Sequence, residues 1–93
     1  MKNDSQPQYI ISPAAITDLD DITDYFAEHN IDAGEQLLDE FRKKCRYLTQ
    51  FPFMGRSYSE IRSYLRGLPM QNYIIFYRVI GNGIEIAREQ ERS

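Results

Sequence analysis

Apolar residues in the first half of the chain recur at the spacing of an amphipathic α-helix. Two stripes show this spacing, at intervals of three or four residues: Ala15, Leu19, Ile22 and Phe26, then Leu37, Phe41, Cys45 and Leu48. Each stripe gives a helix one apolar face. The pattern predicts two helices that bury these faces in one core, and Cys45 is predicted to pack there as a small apolar side chain.

The polar residues before each stripe predict where the helices begin. Ser12 suits the N-cap of the first helix, and Pro13 suits the first helical position, where its missing N–H is not needed. Asp32 and Glu35 match a capping box, so Asp32 is predicted to cap the second helix, which runs to about Gln50. The segment between the helices forms the turn of an antiparallel helical hairpin.

The rest of the chain shows the alternation that is typical of β-strands. The predicted strands are residues 8–11, 65–70, 72–80 and 84–88, and Gly81-Asn82-Gly83 closes the last hairpin. Residues 58–64 show no clear pattern. The order β-α-α-β-β-β predicts an α+β fold, in which a small antiparallel sheet carries the N-terminal helical hairpin on one face.

The strand predicted at residues 72–80 is largely apolar on both faces. One face carries Tyr73, Ile75, Tyr77 and Val79, and the other carries Ile74, Phe76, Arg78 and Ile80. A sheet this small is not stable in water with bare apolar faces. The helices can cover one face, which leaves the other for a second protein.

Ninety-three residues are enough for one domain with a single core. We expect that domain to span residues 1–93, with a frayed start at 1–7 and a polar tail at 89–93, because the alternation stops at Ala87. The chain has no basic-then-apolar leader and no run near the roughly 18 apolar residues of a membrane span. We therefore expect a cytoplasmic protein without membrane contact.

The formal net charge of −3 hides an uneven distribution along the chain. Residues 1–41 hold one basic and ten acidic residues, whereas residues 42–88 hold nine basic and two acidic residues. Two interpretations stay open: solvated faces of opposite sign, or a basic surface for an acidic partner.

The sequence offers few groups for catalysis or metal binding. His29 is the only histidine and Cys45 the only cysteine, which excludes ordinary zinc sites and argues against a Ser-His or Cys-His nucleophile pair. The aspartates of the first helix do not all share one helical face, and we interpret them as solvated: Asp18, Asp20, Asp21 and Asp24. No catalytic residue, metal site or cofactor is predicted.

A set of arginines interleaved with tyrosines remains. Its members are Arg56, Arg62, Arg66 and Arg78, with Tyr58, Tyr64, Tyr73 and Tyr77. Such a set can bind RNA through phosphates and stacked bases, or anchor a protein interface. Arg78 lies on an otherwise apolar strand face, so its charge needs a carboxylate or solvent. Three interpretations of Arg78 stay open: an internal ion pair, a contact with a protein partner, and a contact with nucleic acid.

Several segments, in this order and spacing, resemble the ParE/RelE superfamily of bacterial toxins, on its ParE branch. They extend over about residues 9–88 and read YIISPAA (9–15), DLDDITDY (18–25), AG (33–34), LTQFPFMGR (48–56), IR (61–62), LRGL (65–68), YIIFYR (73–78) and GIEI (83–86). Each segment alone is a weak signal, and their joint order is specific.

The resemblance implies a RelE/ParE-like fold and a toxin encoded beside a cognate antitoxin, whose C-terminal segment wraps over the sheet and helices. ParE members are described as poisons of DNA gyrase, while RelE members cut messenger RNA on the ribosome. This chain has only three lysines and no tyrosine after Tyr77. It is thus poorly equipped to grip RNA phosphates, and the resemblance favours a non-enzymatic gyrase inhibitor that is neutralised by its antitoxin, without direct DNA binding.

Two alternatives stay open beside the gyrase inhibitor. One is a RelE-like ribosome-dependent endoribonuclease. The other is an attenuated domain that binds an antitoxin without being toxic, because ParE chains usually end on apolar and then basic-aromatic residues, whereas residues 88–93 are fully polar. A homodimer and a toxin–antitoxin hetero-oligomer are both compatible with the sequence. The residues predicted to bind the antitoxin or the target are Arg56, Arg62, Arg66, Tyr73, Tyr77, Arg78 and Arg88.

Overall fold

The computed structural model describes residues 8–92, so the predicted frayed start at 1–7 lies outside the described residues. The elements are β1 (Gln8–Ile11), α1 (Pro13–His29), α2 (Ile31–Gln50), β2 (Arg56–Ser57), β3 (Arg66–Met70), β4 (Tyr73–Ile80) and β5 (Gly83–Glu91). A helical hairpin followed by a sheet confirms the predicted α+β class. Neither helix between residues 8 and 92 has the length and apolar character needed to cross a membrane.

The five strands form one sheet in the order β1-β5-β4-β3-β2. The prediction of an antiparallel sheet is wrong at one edge, where β1 runs parallel to β5, while the other pairs are antiparallel. The two-residue edge strand β2 was not predicted. Gly83 allows β1 to approach, because a Cβ added there would overlap the carbonyl oxygen of Gln8. No described glycine has a positive φ, so Gly83 is needed for space and not for its backbone freedom.

The two helices are joined by a single extended residue, Asn30. Its N–H donates to the Phe26 carbonyl at 2.7 Å, and its side-chain oxygen accepts from the Ala33 N–H at 3.1 Å. Asn30 therefore caps α2, and the predicted capping box at Asp32 is wrong because Asp32 is already helical. Close packing fixes the same corner, since a Cβ added at Gly34 would lie 2.7 Å from the Phe26 Cβ.

Ser12 caps α1, as predicted. Its Oγ accepts from the Ala15 N–H at 3.1 Å, and its hydroxyl also donates to the Ala87 carbonyl at 2.9 Å. The Ser12 N–H donates to the Ile86 carbonyl at 2.9 Å. One serine thus begins a helix and pairs with backbone groups of β5 beyond the end of β1.

The core lies between the helices and the inner face of the sheet. Its fully buried members include Ala15, Leu37, Cys45, Leu48, Met70, Ile75, Tyr77, Ile84 and Ile86. The predicted packing of Cys45 is confirmed. Burial, reinforced by the negative charge of Glu89, raises the pKa of the Cys45 thiol to about 12, so the thiol stays protonated and unreactive at neutral pH.

The last strand is longer than predicted, because β5 runs to Glu91 instead of ending at residue 88. The pairing with β4 shifts between Phe76 and Tyr77, which leaves Ala87 as the extra residue of a β-bulge. Arg88 then pairs with Phe76, and Glu89 pairs with Ile75 on the inner face. Without the bulge, the period of two would place Arg88 on the inner face.

Candidate partner-binding surface

The outer face of the sheet is only partly covered by the chain itself. The loop at residues 58–65 packs on it, with the Tyr58 ring edge-on to Phe76 at 5.1 Å between centroids and Leu65 only 9% exposed. Beside this loop a groove of about 460 Å³ stays open. We call it the outer groove, and it is lined by Ile61, Arg62, Tyr64, Leu65, Phe76, Arg78, Glu85, Ala87, Arg88 and Gln90.

Arg78 lies in the outer groove and forms an ion pair across the strands. Its Nε donates to Glu85 Oε1 at 2.6 Å, and its guanidinium carbon lies 5.5 Å from the centre of the Tyr64 ring. The hydrogen bond and charge of Glu85 raise the pKa of Arg78. Of the interpretations left open, the ion pair is present, while 44% of the Arg78 side chain stays exposed to a partner.

Arg88 connects the outer groove to α1. Its Nε and Nη2 donate to the two carboxylate oxygens of Asp18 at 2.8 and 3.0 Å. Asp18 Oδ2 also accepts from the Glu89 N–H at 2.9 Å. Burial opposes ionisation of Asp18, but the hydrogen bonds from Arg88 and Glu89 and the charge of Arg88 outweigh it and lower the pKa. The interpretation of Asp18 as solvated is wrong, since its side chain is 12% exposed and fastens α1 to β5.

Of the other three predicted arginines, one lies in the outer groove and two lie elsewhere. Arg62 lines the outer groove. Arg66 donates from Nε to the Gly55 carbonyl at 3.1 Å and from Nη2 to the Phe53 carbonyl at 3.2 Å, so it holds the loop after α2. Arg56 lies over the Tyr58 ring at 4.3 Å. The outer groove therefore brings together three of the five predicted arginines: Arg62, Arg78 and Arg88.

The two predicted tyrosines lie on the inner side of the sheet. Tyr77 is fully buried, and its hydroxyl donates to the Pro52 carbonyl at 2.7 Å and accepts from the Gly55 N–H at 2.9 Å. Burial raises the pKa of Tyr77, although Gly55 and Arg66 lower it in part. Tyr77 thus anchors the loop after α2 and presents no surface to a partner. Tyr73 is half-buried and lines a second cleft.

That second cleft, of about 600 Å³, lies between α1 and the end of β5. We call it the acidic cleft, and it is lined by Asp18, Asp21, Ile22, Tyr25, Phe26, Gln71, Asn72, Tyr73, Glu89 and Glu91. The cleft was not predicted from the sequence, because residues 89–93 were assigned to a polar tail. The sequence did contain a signal, because Glu89 and Glu91 alternate along the strand. The signal points to a cleft beside the acidic first helix only when the bulge at Ala87 is known to turn Glu89 inward.

Glu89 is the unusual residue of the acidic cleft. It is 4% exposed, and neither of its carboxylate oxygens has a hydrogen-bond partner. Burial, together with the negative charge of Asp18, raises the pKa of Glu89 to about 8, although Arg88 acts in the opposite direction. In the described part of the chain, no three metal-ligating side chains are grouped to hold a metal ion.

A second surface with apolar side chains lies near the end of α2. Tyr47, Met54 and Leu68 line a shallow depression there, and Phe51 and Phe53 are 52% and 68% exposed nearby. Large exposed apolar side chains of this kind can act as anchors in protein interfaces.

His29 stacks on Tyr25 at 4.0 Å, away from the buried thiol, so the two side chains form no nucleophile pair.

Comparisons with known proteins agree with this fold. Residues 9–88 match the sequence model of a family described as the ParE toxin of the type II toxin-antitoxin system, parDE. The match ends at Arg88, so the last residues of β5 lie outside it.

The chain is similar in sequence to toxins of one organism and similar in fold to a solved structure from another. The chain is 35% identical over 83 residues to Toxin ParE1 of Mycobacterium tuberculosis, in strains H37Rv and CDC 1551, which covers 87% of this chain and 85% of the relative. A solved chain of the chromosomal ParDE TA system from P. aeruginosa superposes with a TM-score of 0.79 at 18% identity, covering 96% of this chain and 99% of that one, which supports the fold. By its family match and its relatives, this chain belongs to the ParE toxin family of type II toxin–antitoxin systems.

Proposed function

We propose that this chain is the toxin of a type II toxin–antitoxin module and that a cognate antitoxin neutralises it by occupying the outer groove. The observation that carries the proposal is the incomplete cover of the outer face. Helices cover the inner face, whereas the outer groove stays open beside Ile61 and Tyr64, which are 60% and 53% exposed. Exposed apolar grooves rimmed by polar residues are typical of protein-binding sites.

The chemistry of the outer groove favours an apolar and acidic segment. Phe76 and Ala87 give it an apolar floor, and three arginines face one carboxylate, that of Glu85. Arg78 and Arg88 already have intramolecular carboxylate partners, so an antitoxin carboxylate would share them. A helix laid in the groove, or a strand added to a sheet edge, would suit this surface.

The proposed action on the cell is that of a non-enzymatic poison of DNA gyrase. Family membership favours it, and the single histidine stacks on Tyr25 while the single cysteine is buried, so these two side chains form no nucleophile pair. A protein that acts by binding needs exposed anchors instead, and the large apolar side chains at Phe51, Phe53 and Met54 are available for that purpose.

Two experiments test the proposal. Induced expression of the full chain should arrest growth, with filamentation and a DNA-damage response, and co-expression of the protein encoded beside it should restore growth. Purified protein added to gyrase and plasmid DNA should increase the amount of cleaved DNA. Normal growth at verified soluble expression, together with unchanged DNA cleavage, would contradict the toxic action.

A RelE-like endoribonuclease is the enzymatic alternative. Three of the four arginines that were candidates for phosphate binding have partners within the protein: Arg56 pairs with Glu60, Arg66 with backbone carbonyls and Arg78 with Glu85. This engagement lowers the positive charge that is available to RNA. Primer extension on messages after induction decides the question, because an endoribonuclease leaves new cut sites that depend on the ribosome.

An attenuated toxin is a second candidate, and the end of β5 favours it. Residues 89–91 lie beyond the family match and carry two glutamates. If they suppress toxicity, replacement of residues 89–93 by apolar and basic-aromatic residues should produce growth arrest where the natural chain does not. The antitoxin should bind both forms through the outer groove.

A further inference from the structure

The acidic cleft contains a buried carboxyl group to which no other described residue hydrogen-bonds. Glu89 is 4% exposed, and both of its carboxylate oxygens lack a hydrogen-bond partner. The nearest cation, the guanidinium of Arg88, is used by Asp18 in two hydrogen bonds. A buried carboxylate without a partner is strongly unfavourable, so Glu89 needs either a proton or a cation from outside.

The walls of the cleft indicate what kind of cation fits. Tyr25, Phe26 and Tyr73 are aromatic, and Asp21 and Glu91 add carboxylates that form no ion pair within residues 8–92. The described residues offer no cluster of three metal ligands. Aromatic rings beside carboxylates suit a guanidinium, because it stacks on rings, pairs with a carboxylate through two N–H groups and is less strongly hydrated than an ammonium group.

We propose that the acidic cleft binds an arginine side chain of a partner protein, whose guanidinium pairs with Glu89 and stacks between the aromatic walls. The inference rests on the proposed function in one respect, since the antitoxin is the partner that we expect to carry the arginine. The acidic cleft and the outer groove lie on opposite sides of the end of β5, so one wrapping segment can reach both. Glu89 and Glu91 follow the end of the family match, so these two carboxyl groups of the cleft lie outside the part of the chain that matches the family.

Binding of the cation should release a proton. The pKa of Glu89 is about 8, so at pH 7 its carboxyl group is mostly protonated, and pairing with a guanidinium expels that proton to solvent. The titratable and charged groups around Glu89 are Asp18, Asp21 and Tyr25 from α1, Cys45 with Arg46 beside it from α2, Tyr73 from β4, and Arg88 and Glu91 from β5. Because Glu89 loses its proton between pH 7 and pH 9, affinity should rise roughly tenfold over that range.

The first test uses the full chain and Nα-acetyl-L-argininamide, observed by NMR at Glu89 and Tyr73. We expect saturable shifts with a dissociation constant of roughly 1–10 mM, which is reasonable for one ion pair with stacking. Nα-acetyl-L-citrullinamide, a neutral isostere, should give none. Glu89→Gln should abolish the shifts, and Glu35→Gln should keep them, because it makes the same charge change on α2 outside the cleft. Absence of saturation, or equal shifts in Glu89→Gln, overturns the inference.

The second test uses the complex with the antitoxin encoded beside the chain. Glu89→Gln should weaken the complex by roughly tenfold or more and remove the pH dependence, whereas Glu35→Gln should leave both unchanged. A complex that depends on the outer groove but ignores Glu89→Gln overturns the arginine site and leaves the proposed function standing. If no complex forms with the natural chain, the proposed function fails, and the NMR titration alone decides whether the cleft binds a guanidinium.

Discussion

At the scale of single residues, strand register decides which side chains bear charge in the interior. The bulge at Ala87 turns Arg88 outward and Glu89 inward, beside Ile75. A polar residue then occupies a position that is 4% exposed, without a hydrogen-bond partner for its carboxylate. The stability of the folded protein thus depends on whether Glu89 is protonated.

Glu89→Gln should change how the stability of the free protein depends on pH. The pKa of Glu89 rises from an ordinary 4.5 to about 8 on folding, so the folded state binds more protons between these values. This contribution to stability is fully present below about pH 4.5 and is lost as the pH rises through about 8. At pH 9 the free energy of unfolding of the Gln variant should be roughly 2–4 kcal/mol higher than that of the natural chain, and near pH 5 the two should differ little. Chemical denaturation at several pH values measures this, and parallel pH profiles of the two proteins would contradict it.

Tyr77→Phe should destabilise the fold through lost hydrogen bonds. The change removes the acceptor of the buried Gly55 N–H and the donor to Pro52, while keeping the packing of the ring. A buried N–H without a partner costs about 1–3 kcal/mol, and we expect a loss of that size in thermal or urea unfolding. Tyr64→Phe is the matched control, because Tyr64 is 53% exposed. Equal stability of the two variants would show that the Tyr77 hydroxyl contributes little.

The sequence could predict the strand face of Tyr77, but not the hydrogen-bond partner of its hydroxyl group or the burial of Glu89. Tyr77 alternates with apolar neighbours and was assigned to one strand face, yet its hydroxyl meets a loop more than twenty residues away in sequence. Such a partner cannot be read from periodicity. Glu89 was assigned to a tail because it follows the last apolar residues, and only the bulge places it inside.

At the scale of elements, the helix ends depend on single capping side chains. Ser12 and Asn30 each accept from a backbone N–H three residues ahead. The helices and strands themselves could be predicted, because their apolar periods are clear. The start of α2 could not, since Asp32 with Glu35 and Asn30 are both reasonable caps, and the choice follows from the one-residue connection between the helices.

Variants at the caps separate these roles. Asn30→Ala should lower the free energy of unfolding by about 1 kcal/mol, because it removes only a helix cap. Ser12→Ala should cost more, about 1–2 kcal/mol, since it also removes the hydrogen bond to Ala87 on β5. Asp32→Ala serves as the control and should change stability by less than about 0.5 kcal/mol, because Asp32 is exposed and does not cap α2. Urea unfolding measures all three, and a larger loss for Asp32→Ala than for Asn30→Ala would restore the predicted capping box.

At the scale of the whole molecule, the end of β5 separates two surfaces of opposite character. The outer groove carries arginines over an apolar floor, and the acidic cleft carries carboxylates between aromatic walls. A basic surface was one of the two interpretations that the uneven charge left open, and Arg62, Arg78 and Arg88 do meet in the outer groove. It could not predict that Arg66 is occupied by loop carbonyls, because those contacts depend on how the chain turns after α2.

Arg78→Glu should weaken the complex with the antitoxin by roughly tenfold or more, because it places two carboxylates side by side in the outer groove. Arg42→Glu is the matched control. It makes the same charge change and also breaks an exposed ion pair, with Asp39 on α2, but lies outside the groove. Titration calorimetry measures both affinities, and melting temperatures check that both variants are folded. An equal loss of affinity in the two variants would place the antitoxin elsewhere.

The corner at Asn30 has a consequence for how the molecule adapts to other proteins. One residue joins the helices, and both its N–H and its side chain form hydrogen bonds to the helix ends. Gly34 packs so closely against Phe26 that a Cβ would not fit there. The short connection and the close packing therefore restrict any change in the angle between the two helices. The connection of residues 51–65 is also held, because Tyr77 and Arg66 bond to its backbone, so reshaping on contact falls to exposed side chains such as Phe53, Met54 and Ile61. A frame this rigid would leave most of the adjustment on contact to the other protein.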